Sequence, residues 1–77
     1  MKMTVTVMPK ASVLDPQGAA TAEAMKHFGL SGVTGVRIGK SIEVDFAGEP
    51  DQDKLEELAR DLLSNPVIEN FSIARSE

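Results

Sequence analysis

The chain has 77 residues, a net charge of −4 from 8 Lys and Arg against 12 Asp and Glu, three Phe as its only aromatics, and no cysteine. That makes one small domain, residues 1–77, with a marginal core, because a chain this short buries only about 60% of its unfolded surface. Disulfides and Cys-bound zinc are excluded, and the missing basic face and stacking aromatics argue against nucleic acid. No apolar stretch approaches the ~20 residues that span a bilayer, which points to a cytoplasmic protein with no membrane role, stabilised by self-association.

Met3-Thr4-Val5-Thr6-Val7-Met8 alternates apolar and polar residues, the period of a strand with one buried face. Pro9 ends it, and a loop from Lys10 to Leu14 leads to Asp15-Pro16, a helix-capping aspartate before a proline at the first helical position. The first helix is predicted over Pro16–Phe28, with Ala20, Ala24 and Phe28 on one stripe and Thr21 and Met25 beside it. Gly29 suits a left-handed C-cap, with Leu30 folding back on Met25. Gly18 fits this helix poorly. Glycine in a first turn costs stability, and the bare backbone it leaves lets another surface approach closely.

From Val33 to Phe46, the residues Val36, Ile38, Ile42, Val44 and Phe46 share one parity, and Arg37, Glu43 and Asp45 the other. A two-residue hairpin at Gly39-Lys40 would mix apolar and charged residues on one face. Two readings remain: one long strand bent at Gly39, or a hairpin with a three-residue loop from Gly39 to Ser41. The long strand is preferred, since such a loop wants glycine in its last position. Lys40 then falls on the apolar parity, and must point past the core edge or into a partner.

After the Ala47–Pro50 loop, a second helix is predicted from Asp51 to Ser64. Leu55, Leu58, Ala59, Leu62 and Leu63 form its apolar face, Asp51 and Asp53 stand at its positive end, and Glu56 and Arg60 are spaced as an i,i+4 pair. Pro66 stops it. A last strand covers Ile68–Ala74 with Phe71 and Ile73 inward. The order β-α-β-α-β, with the middle strand long or split, predicts an α+β, two-layer fold. Both helices are expected on one face of the sheet, leaving the other face for a partner or a second copy.

Catalytic chemistry has no foothold. There is no cysteine, and the single histidine, His27, suits the negative end of the first helix. No His-x-x-x-His or carboxylate cluster has metal-ligand spacing. The glycines between Gly29 and Gly35 precede a strand rather than a helix, so they cannot form a phosphate cradle. The residues read as a binding or assembly module.

Four strings carry more. Val5-Thr6-Val7-Met8-Pro9-Lys10, Val13-Leu14-Asp15-Pro16-Gln17-Gly18, Val36-Arg37-Ile38-Gly39-Lys40 with Ile42-Glu43-Val44, and Leu62-Leu63-Ser64-Asn65-Pro66-Val67-Ile68-Glu69 closely resemble, in order and spacing, the PurS family. The resemblance covers essentially the whole chain. Two departures are Asn70-Phe71, where the family often carries an acidic residue and tyrosine, and Ala11-Ser12, where a glycine is common.

The resemblance implies a non-catalytic small subunit of phosphoribosylformylglycinamidine (FGAM) synthase, in purine biosynthesis. It implies docking of a glutaminase subunit (PurQ) and a synthetase subunit (PurL), help with ammonia transfer between them, and assembly as a homodimer or dimer of dimers. No cofactor is expected on this chain; ATP and Mg would be used by the synthetase subunit. Interface candidates are the residues that the predicted core does not explain: Asp15, Gln17, Gly18, Arg37, Lys40, Asn65 and Glu69. The alternative from another class is a stand-alone dimeric α+β module that senses a ligand.

Overall fold

In the computed structural model, which describes residues 1–75, strand β1 (Lys2–Pro9) lies between two antiparallel neighbours, β2 (Lys40–Asp45) and β3 (Glu69–Arg75). Helices α1 (Pro16–His27) and α2 (Gln52–Leu58) follow β1 and β2, and a π-helical turn (Ala59–Leu63) extends α2. The last two residues of the predicted domain lie outside the described residues.

Alternation along β1 sets the core. Met3, Val5 and Val7 are buried, with Val5 and Val7 wholly so. The register places Ile42 and Ile73 on either side of Val5, and Lys40 and Phe71 on either side of Val7. Leu55 and Ala59 close the core from above, with Leu63, Phe71 and Ile73 half-buried against it. The sequence thus places β1, β3 and their inward residues correctly.

The middle strand is shorter than the stretch from Val33 to Phe46 promised. Residues 33–39 pair with no strand, and no hairpin forms, since β2 pairs only with β1. The reason is local. Extending the β1–β2 register would set Ile38 opposite Pro9, but Pro9 has no N–H to give, and the Ile38 N–H is taken by Asp15 at 2.9 Å. One residue further, Arg37 would face Lys10, and like charges directly opposite are unfavourable.

The helices differ from expectation in detail. α1 supplies no side chain to the core. Ala20, Ala24 and Phe28 are exposed, Phe28 by 93%, while Thr21, Ala22 and Met25 are half-buried. Geometry explains this, because three strands about 4.8 Å apart make a sheet roughly as wide as one helix with its side chains. α2 occupies that width. The C-terminus of α1 is as read from sequence: Gly29 has φ +88°, and the Leu30 N–H donates to the Met25 carbonyl at 3.0 Å. Among the apolar residues predicted for α2, Leu55, Ala59 and Leu63 turn inward, whereas Leu58 and Leu62 are exposed. The anticipated Glu56–Arg60 pair is replaced by Arg60–Asp61 (3.2 Å), since the wider π turn changes which residues line up. The Ser64 hydroxyl closes that turn by donating to the Ala59 carbonyl at 2.8 Å.

Two substitutions test this packing. Leu55→Ala should cost about 2–5 kcal/mol, the usual range for deleting a buried leucine side chain. Leu62→Ala, at an exposed position, should change the stability of the isolated fold by no more than about 0.5 kcal/mol. Chemical denaturation of both variants checks the contrast.

Candidate functional site

Pro9 and Lys10, at the C-terminal end of β1, are the hub of the residues singled out from sequence. Glu69 faces Pro9 from β3, and the Lys10 N–H donates to the Ile68 carbonyl at 2.8 Å. On the other side, an Arg37 Nη1 donates to the Pro9 carbonyl at 3.2 Å, and Lys40 faces Val7. Asp15 and Gly18 join this end through the 36–38 segment, and Asn65 joins through Glu69. Residues from three separate strings therefore converge on one place.

Asp15 is the clasp. As the N-cap of α1 it accepts the Gly18 N–H at 3.1 Å through Oδ1, while Oδ2 accepts the Ile38 N–H. The bond from Ile38, then that from Gly18, holds its pKa below the ordinary 3.8. Gly18 is buried because the chain itself comes close: a Cβ there would run into the Val36 carbonyl and the Asp15 carboxylate. The approaching surface expected at this glycine is thus the protein's own backbone. Gly39 is alike, packed against the Val7 carbonyl and the Met8 sulfur. Gln17 serves through its carbonyl, which accepts the Thr21 hydroxyl at 2.9 Å, and is exposed.

Asn65 and Glu69 form a second closed unit. The Asn65 N–H donates to Glu69 Oε1 at 2.7 Å, its Oδ1 accepts from the Val67 N–H at 3.1 Å, and its carbonyl accepts from the Ile68 and Glu69 N–H groups. Both are turn residues first. Lys40 is exposed at the end of the inward row that Val44 and Ile42 continue, past the core edge, one of the two placements its parity allowed.

Sequence reasoning missed two features. Lys10 read as an ordinary loop residue, although the ladder to β3 carries it into the hub. An open groove of about 770 Å³ was also unforeseen, walled by Val44, Phe46, Leu55, Leu58 and Leu62 and edged by Asp51, Lys54, Glu57 and Asp61. Its only sequence signal was that Leu58 and Leu62 lie off the line through Leu55, Ala59 and Leu63. Among the described residues, no group of three or more His, Cys, Asp or Glu is placed to hold a metal ion, and no helix is long and apolar enough to cross a membrane.

The clasp predicts an acid-labile element. Because Asp15 has a lowered pKa in the folded state, its contribution is present above the unfolded value and is lost as pH falls through the folded one. Asp15→Asn should lower the melting temperature at neutral pH, and the gap from the unsubstituted protein should narrow as pH falls below the ordinary carboxylate range. Thermal melts of both proteins across pH test this; a gap independent of pH would count against the clasp.

Comparison with known proteins gives the family. The family model described as "PurS: Phosphoribosylformylglycinamidine (FGAM) synthase" matches residues 2–77. The chain is 40% identical over 74 residues to the phosphoribosylformylglycinamidine synthase subunit PurS of Mycobacterium leprae, covering 96% of this chain and 94% of that one. Its fold overlays the crystal structure of Bacillus subtilis PurS with a TM-score of 0.81 at 36% identity, over 99% and 98% of the two chains. It overlays a chain of the structure of PurLQS from Thermotoga maritima with a TM-score of 0.80 at 27% identity, over 95% and 93%. With the match running through essentially every residue, the chain belongs to the PurS family of FGAM synthase subunits.

Proposed function

We propose that this chain is the non-catalytic small subunit of an FGAM synthase. In this reading it docks the glutaminase (PurQ) and the ATP-dependent synthetase (PurL) and assists the passage of ammonia between them, as formylglycinamide ribonucleotide, glutamine and ATP become FGAM. ATP and Mg are used on the synthetase, and the assembly works in the cytoplasm. The observation that carries the reading is the whole-chain likeness to a chain of PurLQS. The physical need is clear: ammonia released into water is protonated and ceases to be a nucleophile, so sealing the joint between two active sites raises yield without any chemistry in the seal.

The chain acts as one domain and as a homodimer or dimer of dimers. The uncovered stripe of α1 and the exposed Leu58 and Leu62 support self-association. The residues gathered at the β1 end, Asp15, Gln17, Gly18, Arg37, Lys40, Asn65 and Glu69, form or shape the docking surface. Most act indirectly: Asp15 and Gly18 hold the 36–38 segment, and Asn65 and Glu69 hold the turn before β3, so that Arg37 and Lys40 are presented. The ligand-sensing alternative finds no comparable support, because the polar residues of the open groove bond among themselves or to neighbours. Lys54 pairs with Glu57 at 3.7 Å, Asp51 caps α2, and Asp61 meets Arg60.

Reconstitution tests the reading. The pure subunit should show neither glutaminase nor ATPase activity. Added to the other two subunits, it should raise the glutamine-driven rate of FGAM formation far more than the ammonia-driven rate. Equal glutamine-driven rates with and without it would refute the assignment.

A further inference from the structure

The cations of this chain are sorted by place. Among the eight Lys and Arg, five sit in ion pairs: Lys2 with Glu43, Lys26 with Glu23, Lys54 with Glu57, Arg60 with Asp61, and Arg75 with Glu49. The remaining three, Lys10, Arg37 and Lys40, have no such pair among the described residues, and all three lie at the C-terminal end of β1. Lys40 faces Val7, Arg37 bonds the Pro9 carbonyl, and Lys10 follows Pro9. Val7 to Lys10 spans about 10 Å of strand, so one acidic surface can meet all three charges together, an attraction that added salt screens.

The carboxylates closest along the fold are bonded to backbone N–H groups rather than to these cations. Asp15 is occupied by the N–H groups of Gly18 and Ile38, and Glu69 by that of Asn65. Arg37 is held by its bond to Pro9, and its other N–H groups have no hydrogen-bond partner among the described residues. A protein of net charge −4 thus presents one positive end on a fixed backbone.

We propose that this positive end is a docking surface for an acidic patch on a partner protein, each cation meeting a separate carboxylate. The inference rests on the assembly role proposed above and names the chemistry of the contact. A phosphate group fits less well. The cations are spread along two segments instead of converging, and the adjoining hollow of about 520 Å³ contains the Asp15 carboxylate, which repels phosphate. Nucleic acid fits less well too, since the one exposed aromatic, Phe28, stands at the far end of α1. A second copy of the same end would bring like charges together, so self-association uses other surfaces. The contact works chiefly on the rate of encounter, as complementary charge does.

The test uses the intact chain with purified glutaminase and synthetase subunits. Lys10→Gln with Lys40→Gln makes a double variant, and Arg37→Gln completes a triple. The double variant keeps the question open if loss of the Arg37 bond disturbs the fold, because neither lysine side chain makes a hydrogen bond or ion pair among the described residues. The association rate of the unsubstituted chain with one of the subunits should fall steeply with added salt. The double variant should associate about 10-fold or more slowly at low salt and show a flatter salt dependence, with its melting temperature and oligomeric state unchanged. Association rates and salt slopes equal to those of the unsubstituted chain, in a protein that still assembles, would overturn the charge proposal and leave the assembly role standing. Failure of the unsubstituted chain to bind either subunit would overturn both. Binding of inorganic phosphate to the isolated chain, lost in the double variant, would overturn the protein-partner assignment in favour of a small-anion site.

Discussion

The Asp15 carboxylate decides where the sheet ends. One oxygen starts α1 and the other removes the Ile38 N–H that a longer β2 would need. Pro9 reinforces the stop by offering no N–H at the opposite position. Three consequences follow. β2 begins at Lys40, the 36–38 segment is drawn against the first turn of α1, and only glycine fits at position 18, where Val36 passes. A carboxylate that bonds backbone on two sides joins segments more than twenty residues apart with no help from a large core. That suits a chain whose buried apolar set, among the described residues, is Met3, Val5, Val7, Leu55 and Ala59.

That same clasp marks the boundary of what the sequence made legible. Alternation in Met3–Met8 and in the Ile68–Ala74 stretch gives β1 and β3 and their inward faces, because a two-residue period has one interpretation when a single face is buried. Asp15-Pro16 and Gly29 give the ends of α1, because caps act locally. What stayed hidden depended on distant partners. The parity of Val36 and Ile38 reads as strand, yet the hydrogen-bonding partner has run out at Pro9, and parity cannot reveal that. Gly18 signalled close approach without saying by what; the answer, the Val36 carbonyl, lies in another string. Lys10 stood in one of the four strings but gave no sign of its position, since its place in the hub comes from the register of β1 with β3.

The apolar pattern of the helices misled for a different reason. Periodicity reports which face is apolar, not what covers it. Ala20, Ala24 and Phe28 form a regular stripe on α1, and Leu58 and Leu62 widen the face of α2, but a three-stranded sheet accommodates one helix over its width. The excess apolar surface is therefore legible as pattern and unfilled within the chain. In a subunit this is coherent. Burial that a small domain cannot supply internally becomes available in an oligomer, where stability and assembly are one equilibrium.

Charge and apolar surface then divide the work by geometry. The apolar excess lies on α1 and beside α2, whereas the unpaired cations lie at the C-terminal end of β1, where the clasp holds Arg37 against Pro9. Apolar contact gains strength with area and is indifferent to partner identity. Charge contact adds little net affinity per pair but discriminates strongly, because a like-charged surface is repelled. A chain that associates with itself and also recognises different proteins, as proposed above, benefits from keeping the two on separate surfaces. Asp15 makes that separation possible. By ending β2 at Lys40 it keeps Lys10 and Arg37 out of a ladder that would set them face to face, and leaves both cations at the edge where another protein can reach them.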